Sequence, residues 1–195
     1  MIKPALRSEL PIQEWALGLA QFSAAQFTQD KVERYIRDHA IAVDSLHPYA
    51  YYSPEHYARN LVFQNDVFEC LAMCWDIGQS SSIHDHNDRL GFIYMATGRL
   101  FVQNYRIEDR DPSRHTCRVI PTDTAELHPN GLAEVDTERG IHKICNLPRF
   151  GHRALSVHVY QRPMDSCEIY SVAEGTYERV QLSYTTEYGR LRLNA

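Results

Sequence analysis

The chain has 195 residues, 44% of them apolar, which is enough to bury a real core and fits the size of one globular domain. A formal charge of −5 and the lack of a basic stripe argue against a nucleic-acid backbone as partner, since nothing is present to neutralise phosphates. Residues 1–13 are mixed in character and contain two prolines, and no long apolar run follows, so neither a secretory leader nor a membrane span is expected. Cys70, Cys74, Cys117, Cys145 and Cys167 are odd in number, scattered, and free of any C-x-x-C pair. They read as reduced, packed thiols of a cytoplasmic protein.

The first third reads as helical. In "LPIQEWALGLAQFSAAQF", Ile12, Trp15, Leu19 and Phe22 recur at helical spacing, and this stripe is expected to pack on the rest of the molecule. "TQDKVERYIRDHAI" repeats the pattern with Val32, Tyr35 and Ile36, and Thr28 is placed to cap it. "HPYAYYSPEHYARNLV" is turn-rich and aromatic. From about Val67 the texture changes to short β-type runs: "FECLAMCW", "GFIYMAT", "RLFVQNYRI", "TCRVIPT", "LAEVDT", "GIHKICN", "RALSVHVY", "SCEIYSV" and "YERVQLSYTT". Such runs, punctuated by Gly98, Gly131, Gly140 and Gly151, predict an all-β sandwich or barrel. The expected organisation is a single domain over 1–195, with a mainly helical segment at 1–48 and a β-barrel over 60–190.

His84 and His86 stand one residue apart, so an extended chain points both imidazoles to one face, where they can share an ion. A solvated polar turn is the ordinary alternative for such a pair. Gly78, His84, His86 and Gly98 fit the spacing G-x5-H-x-H-x4-E-x6-G, with Gly91 in the glutamate place, and "HKICN" supplies a second motif, H-x3-N, through His142 and Asn146. These two motifs resemble those of the cupin superfamily, which implies a mainly β double-stranded β-helix barrel and a metal held by His84, His86 and His142. Imidazole suits iron, zinc, copper and nickel alike. Three neutral ligands leave the ion's charge uncompensated, which favours an anionic substrate such as a thiolate with a second donor.

Four blocks narrow the resemblance. "YARNLV", "CWDIGQSSSIHDH", "GIHKICN" and "SVHVY" are similar, in order and spacing, to segments of the cysteine dioxygenase family, and span Tyr57 to about Cys167. The resemblance implies that His84, His86 and His142 bind mononuclear non-haem Fe(II) and that Arg59 clamps the substrate carboxylate with its planar fork. It further implies that Ser156, His158 and Tyr160 form a hydrogen-bonded catalytic relay, and that Tyr57, Met73 and Trp75 line or support the pocket. The reaction implied is transfer of both atoms of O2 to a thiol, giving a sulfinate. Ser156, His158 and Tyr160 alternate along one strand and lack the turn and buried acid of a serine hydrolase.

Two departures from the animal members of the family stand out. They carry, where Gly91 stands, a cysteine that crosslinks to the tyrosine, so Tyr160 is expected to be a free phenol here. After Tyr160 the chain runs "QRP" rather than S-P-P, and Arg162 adds a cation that makes a dicarboxylic thiol conceivable and is counted among the substrate-binding residues. L-Cysteine is the expected substrate, with mercaptosuccinate and 3-mercaptopropionate as alternatives and a non-catalytic metal-binding cupin as the reading of a different class. A cytoplasmic monomer acting on a small thiol carboxylate is expected. Cys145 is expected to point away from His142, and His39, His47, His56, His115, His128 and His152 follow no pattern above surface or hydrogen-bonding roles.

Overall fold

The structure, a computed structural model, describes residues 8–135 and 140–191. The chain opens with β1 (Ser8–Leu10), α1 (Ile12–Leu19), α2 (Gln29–Asp38), β2 (His39–Ile41) and a 3-10 turn over Val43–Tyr49. β1 and β2 form a small parallel pair that the helical reading of this segment did not anticipate. α1 buries Ile12, Trp15, Ala16 and Leu19, and α2 buries Val32 and Ile36, following their apolar spacing. The first helix stops before Phe22, which lies only partly buried against the core. Gly18 allows the two helices to meet: a Cβ there would fall 2.0 Å from the Tyr35 hydroxyl, which donates to the Trp15 carbonyl at 2.9 Å. Thr28 occupies the N-cap position of α2, although its side chain makes no capping hydrogen bond.

β-Structure follows: β3 (Ala58–Gln64), β4 (Phe68–Trp75), β5 (Ile83–His84), β6 (Gly91–Thr97), β7 (Leu100–Asp111), β8 (Thr116–Leu127) and β9 (Leu132–Val135). β10 (Ile141–Cys145), β11 (Ala154–Gln161), β12 (Ser166–Ser171), β13 (Thr176–Gln181), β14 (Thr186–Glu187) and β15 (Arg190–Leu191) complete it. Every strand expected from Val67 onward is present, though Asp136 and Thr137 of "LAEVDT" lie outside the described residues. β3 is a correction, because "YARNLV" sits in a segment read as turn-rich. Two features obscured it: Arg59 and Asn60 interrupt its apolar texture, and the buried Asn60 instead donates to the Tyr51 carbonyl at 3.0 Å and accepts from the Thr186 hydroxyl at 3.0 Å.

One sheet has the order β15-β14-β3-β4-β11-β6-β9, and the other strands run β10-β5-β12-β13-β8-β7 and close on themselves where Thr176 meets Thr116. This is the mainly β, double-stranded β-helix of a cupin with helices added at the N-terminus. The seven-stranded sheet is covered on both faces, which explains why all of "FECLAMCW" is buried. Phe68, Cys70, Ala72 and Cys74 pack with Trp15, Leu19 and Ile36 in one cluster. Leu71, Met73 and Trp75 face Leu100, Val102 and Ile144 of the other strands. β11 divides likewise: Leu155, Val157 and Val159 join the helices' cluster, leaving Ser156, His158 and Tyr160 to face the barrel interior. Each large apolar side chain buried here contributes about 1.5–3 kcal/mol. Among the described residues no helix is long and apolar enough to cross a membrane, and all five cysteines are free thiols.

Candidate metal centre and substrate cavity

Register brings the histidines together. His84 on β5 is the direct Cα partner of His142 on β10, and His86 follows just past the end of β5. One nitrogen from each of the three rings lies within 4.8 Å of the others. Ring centroids are 4.8 Å apart for His84–His86 and His84–His142, and 4.6 Å for His86–His142. His86 donates from Nδ1 to the Gly140 carbonyl at 2.7 Å, and His84 from Nδ1 to the Ser82 carbonyl at 3.0 Å, which fixes each tautomer with a free Nε2 lone pair. Nε2 of His86 and of His142 is buried with no hydrogen-bond partner. Burial holds His84 down to about 4 and pushes His86 and His142 well below the usual imidazole value, so all three rings are neutral at pH 7. Buried orphan nitrogens are costly unless something accepts their lone pairs. Three neutral, convergent imidazoles fit a metal ion.

Asn146, the other residue of the second motif, has a structural task. Its amide donates to the carbonyls of Trp75 and Asp76 at 3.2 Å and of His152 at 3.0 Å, tying the end of β4 to the chain leaving β10. Cys145 alternates with the inward-facing Ile144 and lies only partly buried.

Beside His84 opens a cavity of about 270 Å³, small enough for a metabolite of a few heavy atoms. Tyr57, Arg59, Met73, Trp75, His158 and Tyr160 line it, and Tyr57 stacks on Trp75 with centroids 4.6 Å apart. Arg59 on β3 lies opposite Met73 on β4, and its main chain is pinned by bonds to Thr185 at 2.7 and 3.1 Å. The Arg59 side chain is only 11% exposed, and its Nε and Nη2 are buried without a hydrogen-bond partner. Among the described residues it is the one Lys, Arg, Asp or Glu that lines the cavity. A desolvated cation with unused donors is a site for a carboxylate.

Ser156, His158 and Tyr160 form a chain whose polarity follows from its ends. Trp75 Nε1, a donor only, gives its proton to Ser156 Oγ at 3.0 Å. Ser156 is wholly buried, so its own proton goes to its remaining partner, His158 Nε2, at 2.8 Å. Burial lowers His158 to about 3, so the ring is neutral and carries its hydrogen on Nδ1, which donates to Tyr160 Oη at 2.8 Å. The tyrosine proton is left free to point into the cavity. Burial also pushes the Tyr160 phenol far above its ordinary value, so it is a proton donor, not a phenolate. Gly91 is the Cα partner of Tyr160, and a Cβ there would lie 2.9 Å from the ring.

Arg162, expected among the substrate-binding residues, is not among the residues that line this cavity. It takes a left-handed conformation, φ 64°, its N–H donates to the Val67 carbonyl at 2.8 Å, and its side chain is exposed and outside the cavity lining. The sequence reading also passed over several residues that the fold brings in. Met164, Cys167, Val180 and Leu182 join the wall from β12, β13 and the residues that flank those strands. Glu69 is wholly buried beside Arg59, and its signal was visible as an acid at an inward position of an otherwise apolar strand.

Comparison with known proteins gives the same direction. The sequence model of the family described as cysteine dioxygenase type I matches residues 8–173. Cysteine dioxygenase type 1 of Bos taurus is 30% identical over 142 residues, 72% of this chain and 68% of that protein. The Homo sapiens protein of the same name is 28% identical over 148 residues, 75% and 72% of the two chains. Among solved structures, a double-stranded β-helix protein from Klebsiella pneumoniae is 15% identical, with a TM-score of 0.44 over 72% of this chain and 88% of that one. With the family match extending from the first helices to the end of β12 and across the three-histidine group, the chain belongs to the cysteine dioxygenase type I family.

Proposed function

We propose that the protein is a non-haem Fe(II) thiol dioxygenase that converts L-cysteine and O2 to cysteine sulfinate. The observation that carries this reading is the buried Arg59 guanidinium, whose Nε and Nη2 have no hydrogen-bond partner, lining the same small cavity as His84 and Tyr160. Held by His84, His86 and His142, iron would supply the sites and redox chemistry that activate O2 and the thiolate. The chain's own groups do the rest. Arg59 receives the substrate carboxylate through two N–H donors and so fixes where the thiol lies. Tyr57, Trp75, Met73 and Met164 wall the cavity and exclude bulk water. Tyr160 presents its hydroxyl proton to the cavity as a hydrogen-bond donor, with the Trp75–Ser156–His158 chain holding that polarity.

A second reading, 3-mercaptopropionate, is supported by one feature: among the described residues no acidic side chain lines the cavity to receive cysteine's ammonium group. Mercaptosuccinate loses its rationale with Arg162 exposed. The free thiols support a reducing, cytoplasmic setting. The test is oxygen uptake by Fe(II)-loaded protein with each of the three thiols, combined with mass spectrometry of the product. A product heavier than cysteine by two oxygen atoms is expected, with cysteine preferred. A stronger preference for 3-mercaptopropionate would replace the substrate assignment, and no uptake with iron bound would favour a binding module.

A further inference from the structure

We propose that Glu69 is a resident counter-charge behind Arg59 that restricts the cavity to thiols bearing one carboxylate; this rests on the thiol-carboxylate reading of the site. Glu69 is wholly buried on the inward face of β4, the Cα partner of Tyr160 on one side and of Gln64 on the other. Its Oε1 stands 3.9 Å from Nη2 of Arg59 and accepts the Met164 N–H at 3.1 Å. Its Oε2 accepts the Tyr184 hydroxyl at 2.6 Å, and the same Tyr184 ring lies 5.9 Å from the Arg59 guanidinium carbon. Both carboxyl oxygens thus face donors and a cation stands beside them, which together oppose the upward push that burial gives the Glu69 carboxyl.

The distance to Arg59 decides the role. At 3.9 Å, Glu69 does not use up the N–H donors of the guanidinium, since Nε and Nη2 remain without hydrogen-bond partners. It balances the charge while leaving the donors free for a ligand. Among the described residues Arg59 is the single Lys, Arg, Asp or Glu side chain that lines the cavity, and Glu69 lies behind that lining. The pair is therefore neutral before substrate arrives. One substrate carboxylate finds hydrogen-bond donors and brings the local total to one negative charge. A second carboxylate would find no further cationic side chain among the described lining residues and would lie against the like charge of Glu69, a juxtaposition that is strongly unfavourable. Tyr184 and Met164 hold the carboxylate in place, so Glu69 acts through Arg59 as a positioning and selectivity residue.

The experiment compares 3-mercaptopropionate with mercaptosuccinate, in wild type, Glu69→Gln, Glu69→Asp and Tyr184→Phe. It measures anaerobic calorimetric binding to the Fe(II)-loaded protein and, separately, kcat/KM. In Glu69→Gln the ratio of mercaptosuccinate to 3-mercaptopropionate should rise by about tenfold in both, while Glu69→Asp keeps the wild-type ratio. A purely structural role would weaken both ligands together, and an unchanged ratio in Glu69→Gln overturns the proposal. Should Glu69→Gln fail to fold, Tyr184→Phe decides: loss of that donor favours protonation of Glu69 and should raise the ratio in the same direction, and an unchanged ratio refutes the assignment. Failure of the functional reading would show as bound thiols that are not oxidised, which leaves the binding ratio measurable.

Discussion

At the scale of single residues, the site depends on groups whose hydrogen-bonding capacity the fold leaves unspent. Arg59 is the clearest. Replacing it with alanine removes both free donors and leaves Glu69 as an uncompensated buried charge. The expected loss in kcat/KM with cysteine corresponds to roughly 2–5 kcal/mol, appearing mainly in KM. Cysteamine, which lacks a carboxylate, should lose far less, and equal losses for the two thiols would remove Arg59 from substrate recognition. Lysine at 59 should recover only part, since an ammonium cannot offer the planar pair of donors. Trp75 sets the other end of the site. Trp75→Phe keeps the stack on Tyr57 but deletes the one donor-only group in the chain to Tyr160. Ser156 then loses the donor that helps fix its hydroxyl, and the Tyr160 hydroxyl is held less firmly toward the cavity. A fall in kcat of roughly threefold to tenfold with KM little changed is expected, the scale of one neutral hydrogen bond.

At the scale of elements, β11 and β6 show why Gly91 matters. The two strands pair Tyr160 directly with Gly91, and a methyl group there would meet the Tyr160 ring at 2.9 Å and the Val135 side chain at 3.1 Å. Neither neighbour is free to move in this buried layer, so Gly91→Ala should cost about 1–3 kcal/mol and displace the tyrosine. Thermal denaturation and kcat should fall together, and an alanine variant with unchanged melting temperature and turnover would contradict this packing. The legibility of the fold follows the same geometry. β4 and β11 were readable because both faces of their sheet are covered, giving continuous apolar runs broken only at inward polar positions. β3 was not, because its arginine and asparagine serve the cavity and a buried network. His84, His86 and His142 were readable from spacing, but their convergence depends on the β5–β10 register that no local pattern reports. Arg162 lies close to Tyr160 in sequence, but its left-handed backbone and its exposure, with the side chain off the cavity lining, are set by the turn and not by that proximity.

At the scale of the whole molecule, the N-terminal helices and the barrel interior make different demands. Trp15 is fully buried between the helices and the outer face of the seven-stranded sheet, and its indole N–H donates to the His39 carbonyl at 3.1 Å. Trp15→Ala should cost about 3–5 kcal/mol in urea denaturation, and a change below 1 kcal/mol would deny the helices a structural role. The interior carries a larger pH-dependent term. Burial lowers His84 to about 4 and His158 to about 3, and pushes His86 and His142 well below their ordinary value. Above the unfolded imidazole pKa of about 6.5 neither state takes up protons at these rings, and their contribution is complete. As pH falls below that value the unfolded chain binds protons that the folded chain refuses, so stability drops until the folded values are passed. Burial raises Glu69 and Asp85, which oppose the trend because the folded chain then binds the proton first. Two carboxyls against four imidazoles leave the imidazoles dominant. The chelated, metal-free protein should therefore lose several kcal/mol between about pH 7 and pH 4, most steeply below the unfolded imidazole value. A urea midpoint that stays constant over that range would mean that the histidine cluster is open to solvent, and with it the cavity that Arg59 and Tyr160 are held to serve.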